Sequence, residues 1–156
     1  MESNEGRNDA LQFLREHPLG VLATRNADGS LTQSAIYFSV ESDFTCYTVT
    51  KVGTRKFANM EERQEVSLYV FDESVPASVE LSGIAVMIKD GTEAASALTA
   101  YEAVTSARKP GYWLPPIAQI KAGDYITCKV LPASILYRTF SGEGLEAKPE
   151  EHIITP

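Results

Sequence analysis

The chain has 156 residues, of which 44% are hydrophobic and 22% are charged, and its formal net charge is −7. This length predicts one domain over residues 1–156, and because no apolar run approaches the roughly 20 residues that span a bilayer, no membrane span is expected. The acidic balance and the scattered basic residues argue against nucleic-acid binding, which needs Lys and Arg clustered on one face.

The N-terminus, the cysteines and the histidines give expectations about cellular location, thiol state and metal binding. Residues 1–7 lack the basic and apolar regions of a signal peptide, so we expect a cytoplasmic protein. Cys46 and Cys128 lie in strand-like runs and are predicted to be free, buried thiols. His17 and His152 are far apart and lack metal-ligand spacing, so no metal site is predicted.

The first third of the chain predicts a short helix followed by three strands. Residues 8–16 carry apolar side chains at helical spacing. Residues 19–25 predict a strand, a turn at 26–30 reverses it, and 31–40 pairs back as a hairpin. After a second turn, residues 44–50 add a third strand. Joined by tight turns, these strands would form a meander.

Residues 50–56, here called the cradle, connect this third strand to a helix predicted over 55–63. Thr54 is a suitable N-cap, so the free N–H groups of the first helical turn would favour an anion. Arg55 and Lys56 add two cations where the helix dipole is already positive, which is unfavourable unless an anion is bound. A phosphate would resolve this conflict. The alternative is that both are solvated residues of a short exposed helix.

The second half predicts further strands and a longer helix. Residues 66–71 alternate with period two, and 78–89 form a long strand in which Gly83 indicates a bulge or a close backbone approach. Thr92 is predicted to cap the next helix, whose apolar positions are Ala94, Ala97, Leu98, Tyr101 and Val104.

The last third is less regular. Residues 108–116 are rich in proline and aromatic residues and form either a cover over the core or a wall of a ligand pocket or dimer contact. Two strands, 125–130 and 134–138, are predicted on either side of Pro132. The acidic tail from about residue 142 is expected to be loose. Six or seven strands with interposed helices favour a small antiparallel barrel over a dinucleotide-binding fold.

The cradle with its flanks, residues 50–58 and 65–71, resembles the flavin-phosphate segment of the pyridoxamine 5'-phosphate oxidase-like, FMN-binding split-barrel family. That family runs strand, Thr, a short Gly-containing turn, Ser/Thr-Arg-Lys, helix, strand. The resemblance covers residues 18–89 and, more weakly, 120–137. It implies a mainly β fold, a Greek-key split β-barrel with helices. It also implies a homodimer with FMN in each of two grooves between the subunits.

The resemblance also assigns cofactor contacts. Arg55 and Lys56 would hold the phosphate, with hydroxyls donated by two threonines of the cradle. The strand from Ser34 to Ser39, together with Val49, would run beside the isoalloxazine ring. The cofactor-binding residues implied in this way are Ser34, Ile36, Tyr37, Val49, Thr50, Thr54, Arg55, Lys56 and Ser78.

Two departures from the family pattern matter. Pyridoxamine 5'-phosphate oxidases proper carry an Arg at the place of Ser34 and a Lys at the place of Ser39, so weaker FMN binding is implied. Their final Trp- and Arg-bearing segment, which grips the substrate phosphate, has no counterpart in residues 137–142. Pyridoxamine phosphate is therefore not predicted as the substrate.

The leading interpretation is an FMN-binding oxidoreductase acting on a small molecule. A flavin supplies the redox chemistry itself, so no catalytic side chain is predicted, and His17, Ser67, Asp72 and Glu80 are interpreted as strand or surface residues. The alternatives are a flavin- or haem-binding carrier or sensor without turnover, and a barrel that binds no cofactor and serves as an interaction module. A deazaflavin or haem in place of FMN is also left open.

Overall fold

The structure, a computed structural model, describes residues 4–89, 91–107, 123–142 and 148–156. These residues form helices α1 (Asn4–Glu16), α2 (Arg55–Glu62) and α3 (Gly91–Ser106), and strands β1 (Leu19–Arg25), β2 (Leu31–Tyr37), β3 (Ser39–Val40), β4 (Cys46–Lys51), β5 (Glu65–Asp72), β6 (Ala77–Ile88), β7 (Tyr125–Ser141) and β8 (Lys148–Ile154). Among these residues, no helix combines the length and the apolar character needed to cross a membrane. The proline-rich segment 108–116 lies outside the described residues.

All described strands belong to one antiparallel sheet with the order β2-β1-β5-β6-β7-β4-β3, and β8 pairs with β7. The two ends of this path, β2 and β3, are separated in the chain only by Phe38, which is fully buried. The sheet must therefore curl until its ends meet, which makes a barrel with a seam beside β2. The predicted mainly β split barrel is confirmed.

The predicted meander is wrong in one respect. The β1–β2 hairpin forms as expected, with Leu22 opposite Ser34. Residues 31–40, however, divide at Phe38 into two strands, and β4 pairs with β7 and β3 rather than with β2. Burial of Phe38 turns the chain from one end of the sheet to the other, and this crossing could not be seen in local periodicity.

The predicted bulge at Gly83 is confirmed by a register shift between Ser82 and Gly83 in the β6–β7 ladder. A Cβ atom at Gly83 would overlap the carbonyl oxygen of Leu131, so no larger residue fits. Pro132 stands opposite Gly83 in the same irregularity. Because proline is tolerated at a bulge, β7 continues through it, and the prediction of two separate strands is wrong.

The expected loose tail is wrong for residues Lys148–Ile154, which form β8. β4 pairs with only the first part of β7, up to Val130. The remainder of that edge accepts β8, where Arg138 Nε lies 2.9 Å from Glu151 Oε1 and Ile154 is buried. An open strand edge thus orders a segment that looks unstructured by composition.

The helices close the barrel. α1 begins at Asn4, earlier than predicted, and buries Ala10, Phe13 and Leu14. α3 begins at Gly91, where φ is +90°, so Thr92 lies in the first turn instead of capping the helix. The two cysteines, Cys46 and Cys128, are free and buried in the core as predicted. Burial raises the pKa of the Cys128 thiol to about 12, so this thiol is unreactive.

Candidate cofactor site

A groove of about 340 Å³ opens beside β2 and β4. Its walls come from these two strands, the cradle, α3 and the start of β7. The lining residues are Thr32, Ser34, Ala35, Ile36, Tyr37, Thr48, Val49, Lys51, Thr54, Arg55, Lys56, Tyr101 and Tyr125. Seven of the nine sequence-predicted contacts are in this list. The structure therefore brings most of the predicted site together.

The groove exists because β2 and β4 lie side by side without forming a ladder. In the described sheet, β2 pairs only with β1, and β4 pairs with β3 and β7. One hydrogen bond links the two strands across the seam, from Thr48 Oγ1 to the carbonyl oxygen of Tyr37 at 2.7 Å. The outer edge of β2 therefore presents backbone donors and acceptors to the groove, as an edge strand does.

The cradle forms the helix cap that its sequence predicts. Thr54 has the extended backbone of an N-cap, and its hydroxyl oxygen accepts a hydrogen bond from the backbone N–H of Phe57 at 3.3 Å. The same hydroxyl donates to the carbonyl oxygen of Lys51 at 2.8 Å. The N–H groups of Arg55 and Lys56 have no carbonyl of the same helix to bond, so they are the donors that face an anion.

Three cations line the groove, namely Lys51, Arg55 and Lys56. No carboxylate is present among the described lining residues, although the chain as a whole carries a net charge of −7. Lys56 is half-buried, and burial lowers the pKa of its amine. A cation that is partly removed from water and lacks a carboxylate neighbour is stabilised by a bound anion.

A cluster of tyrosines forms the other part of the groove. Tyr37, Val49 and Tyr101 are buried together, with Leu98 and Tyr125 packed against them. Burial, and then the proximity of Tyr37 and Tyr125, raises the pKa of Tyr101 to about 12. Its phenol therefore stays protonated at neutral pH and can donate a hydrogen bond.

The two ends of the groove are lined by different kinds of side chain. β3 follows β2 after one residue and pairs antiparallel with β4, so β2 and β4 also run antiparallel. Tyr37, at the end of β2, lies beside Thr48, whereas the start of β2 lies towards the cradle. The groove is thus cationic towards the cradle, Tyr37 and Tyr101 form its phenolic part beside α3, and Tyr125 stands opposite Lys51.

Three predicted contacts do not have the expected geometry. Thr50 and Ser78 are buried, do not line the groove, and have hydroxyls without a partner among the described residues. Ser78 pairs with Phe71 and Arg138 in neighbouring strands. The Thr54 hydroxyl lines the groove, but its donor and acceptor are both used within the cap. A hydroxyl donated to a phosphate by Thr50 or Thr54 therefore has no geometric support.

Sequence reasoning missed two sets of residues. Tyr101 and Tyr125 were assigned only to the core face of a helix and to a strand, because nothing local in the sequence brings them to β2 and β4. His17 and Asp72 were interpreted as unrelated surface residues, but His17 Nε2 lies 2.8 Å from Asp72 Oδ2. That pair joins the end of α1 to β5, and neither residue lines the groove.

The family of the chain follows from residues 8–123, which match the family model of pyridoxamine 5'-phosphate oxidase. The chain belongs to the pyridoxamine 5'-phosphate oxidase family. The match spans every strand and helix of the groove up to the end of α3. The family predicted from the cradle is therefore confirmed. No match was found among curated protein sequences.

Solved structures of similar fold include several members of this family. A pyridoxamine 5'-phosphate oxidase-related, FMN-binding protein from Nostoc punctiforme has a TM-score of 0.61 and 11% identity, with 100% of both chains covered. The General Stress Protein 26 from Bacillus anthracis has a TM-score of 0.61 and 19% identity, covering 84% of this chain and 92% of that one.

A haem-binding protein from Mycobacterium smegmatis has a TM-score of 0.73 and 16% identity, and 99% of this chain is covered. The chain spans 60% of the length of that protein. At these identities the likeness shows the fold alone.

We expect Thr54→Ala to lower the free energy of unfolding by about 0.5–2 kcal/mol, because it removes the cap of α2. Thr54→Ser, which keeps the hydroxyl, should stay close to the parent protein. Urea denaturation followed by circular dichroism measures both. Equal stability of the alanine and serine variants would show that the hydroxyl does not support the helix.

Proposed function

We propose that the protein is a homodimeric, cytoplasmic FMN-binding oxidoreductase that acts on a small molecule. The observation that carries this proposal is the groove, in which the start of α2 and three cations converge without a carboxylate among the described lining residues. Family membership and the FMN-binding relative from Nostoc punctiforme support the choice of cofactor.

The cationic part of the groove suits a phosphate. Such a group carries about −1.5 to −2 charges at neutral pH. It would accept from the N–H groups of Arg55 and Lys56 and neutralise their side chains, with Lys51 nearby. Phosphate binding would also remove the repulsion between these cations and the positive end of the α2 dipole.

The remaining lining residues suit a flat ring with polar edges. Ile36 and Val49 supply apolar contacts, and the open edge of β2 supplies backbone groups that can pair with a ring edge. Ser34 lines the groove where related oxidases place an Arg, so this part of the site is neutral. A bound flavin supplies the hydride or electron transfer, and the protein orients it and shapes the space above its face.

Haem is a weaker candidate for this groove. Haem iron needs an axial ligand, usually His, Cys, Met or Tyr. The two histidines do not line the groove, and the two cysteines are buried in the core. Only tyrosines remain among the described lining residues, and the raised pKa of Tyr101 opposes the tyrosinate that iron would require. These facts favour FMN over haem.

The substrate is proposed to differ from pyridoxamine phosphate. In the oxidases that the chain resembles, a final Trp- and Arg-bearing segment grips the phosphate of that substrate, and residues 137–142 have no such pattern. Here β8 covers that part of β7, and Arg138 is held by Glu80 and Glu151 at 3.4 and 2.9 Å. An Arg with two carboxylate partners is not available to a substrate phosphate.

A second copy of the chain is proposed to cover one face of the sheet. Large apolar side chains are exposed there, among them Leu31 at 62% and Phe71 at 54%. Val21 and Tyr69, also exposed, stand directly opposite each other on β1 and β5, and Ala35 stands opposite Val21 on β2. Because Ala35 lines the groove, this face continues into it, and a copy bound here would border the cofactor.

We expect the double change Arg55→Ala with Lys56→Ala to weaken FMN binding at least about a hundredfold, since each charge-assisted contact is worth roughly 1.5–3 kcal/mol. Riboflavin, which has the same ring but no phosphate, should bind as it does to the parent. Quenching of flavin fluorescence measures both affinities.

The matched control for this change is Lys89→Ala with Lys148→Ala. It removes the same amount of positive charge at positions that do not line the groove. Its FMN affinity should equal that of the parent. A cradle variant that binds FMN as tightly as the parent would refute the phosphate assignment.

Turnover separates an oxidoreductase from a carrier. We expect the FMN-loaded protein to lose its flavin absorbance when NADH or NADPH is added without oxygen and to regain it with an electron acceptor, because a bound flavin open to solvent can exchange hydride. A flavin that binds but remains oxidised with both donors would favour the carrier without turnover.

We expect light scattering to give about twice the monomer mass of 17.1 kDa. Val21→Arg should shift this mass towards the monomer, because a charge buried in an interface is costly. Val75→Arg, at an exposed position in the turn between β5 and β6, is the control and should remain dimeric. A parent protein that is monomeric at micromolar concentration would contradict the proposed dimer.

A further inference from the structure

The carboxylate of Glu93 links α3 to the outer face of the sheet. Glu93 Oε1, in the first turn of α3, accepts from Lys129 Nζ at 2.7 Å and from the hydroxyl of Tyr47 at 3.2 Å. Tyr47 and Lys129 are directly opposite each other on β4 and β7. The hydrogen bond from Lys129 holds the pKa of Glu93 below its usual range, so the carboxylate is charged at neutral pH. One side chain therefore bridges α3 to two strands.

The rest of α3 is held by a small buried surface. Its buried residues are Ala97, Tyr101 and Thr105, and of these only Tyr101 is large. The Thr105 hydroxyl is used within the helix, where it donates to the carbonyl oxygen of Tyr101 at 3.0 Å. Burial of one large side chain contributes about 1.5–3 kcal/mol. Leu98 is half-buried and packs against the same cluster, and the bridge at Glu93 adds a partly exposed ion pair to this attachment.

The position of α3 matters because Tyr101 belongs to the groove. Glu93, Ala97 and Tyr101 are spaced by four, so they follow one side of the helix. A shift at Glu93 is therefore transmitted along about two turns to Tyr101. Tyr101 packs on Tyr37 and Val49, and the two tyrosines form the phenolic part of the groove.

We propose that Glu93 is a positioning residue for the groove, and that its bridge to Lys129 and Tyr47 holds α3, and with it Tyr101, against the bound ring. This inference rests on the proposed FMN site. Glu93 itself does not line the groove. It acts by keeping the phenolic wall closed, so its loss should speed the release of the ligand.

The test is the release rate of FMN from the loaded full-length protein, followed by recovery of flavin fluorescence after dilution. We expect Glu93→Gln to release FMN about three- to tenfold faster, the range for losing a partly exposed ion pair together with a hydrogen bond. The ratio of FMN to riboflavin affinity should not change, because the bridge acts on the ring and not on the phosphate. This unchanged ratio distinguishes the Glu93 variant from the cradle variants.

Two further variants separate positioning from a general loss of stability. The charge-swapped protein, Glu93→Lys with Lys129→Glu, should return the release rate to within about twofold of the parent, because the ion pair is restored with opposite polarity. Glu102→Gln removes an acid from the same helix that does not line the groove and has no ion pair among the described residues, so it should leave the rate unchanged.

The outcomes are distinct. If the parent binds FMN and Glu93→Gln releases it at the parent rate, the positioning role is wrong and the proposed function stands. The role is also wrong if the swapped protein releases FMN as fast as the single variant, or if Glu102→Gln has the same effect. If the parent does not bind FMN at all, the proposed function itself fails.

Discussion

The absence of a ladder between β2 and β4 is the constraint on which the site depends. Phe38 takes the chain from one end of the sheet to the other, so two strands that are neighbours in sequence become the two ends of the sheet path. β2 and β4 then lie side by side across a seam that, in the described structure, is bridged by the hydrogen bond from Thr48 to Tyr37. A fully paired barrel would have no groove there, and no free strand edge to contact a ligand.

The cradle places an electrostatic conflict beside this seam. Thr54 uses its hydroxyl to stabilise α2, which leaves the first N–H groups of the helix and the side chains of Arg55 and Lys56 directed at the same space. In a chain with a net charge of −7, such a concentration of positive charge without a carboxylate is a local exception. This clustered positive charge lowers the stability of the empty protein, and a bound anion would offset the cost. An exposed helix end that binds nothing has no such compensation.

The groove and the exposed sheet face are parts of one surface, since Ala35 belongs to the first and stands opposite Val21 in the second. On the other side, α3 brings Tyr101 over Val49 and is linked to β7 by the ion pair between Glu93 and Lys129. A ligand in the groove would therefore contact the edge of a strand, the cationic start of α2, and α3. Of these elements, α3 is attached to the sheet by a small buried surface. Ser34 lines the groove without adding charge, so the positive charge of its described lining is concentrated in the cradle.

The sequence by itself determined the local elements and the family. Turn residues, period-two alternation and the Thr54 cap predicted β1, β5, α2 and the bulge at Gly83, because each depends on neighbouring residues or on a backbone requirement of one residue. The cradle motif was contiguous, so its family could be recognised before any fold was known.

Only the tertiary structure decided what lies far apart in the chain. It placed Tyr101 and Tyr125 in the groove, ordered residues 148–154 as β8, and left Thr50 and Ser78 outside the lining of the groove. These outcomes depend on strand order and on which face of a curved sheet a side chain occupies. Neither is encoded in a local pattern, since both result from the packing of segments separated by tens of residues.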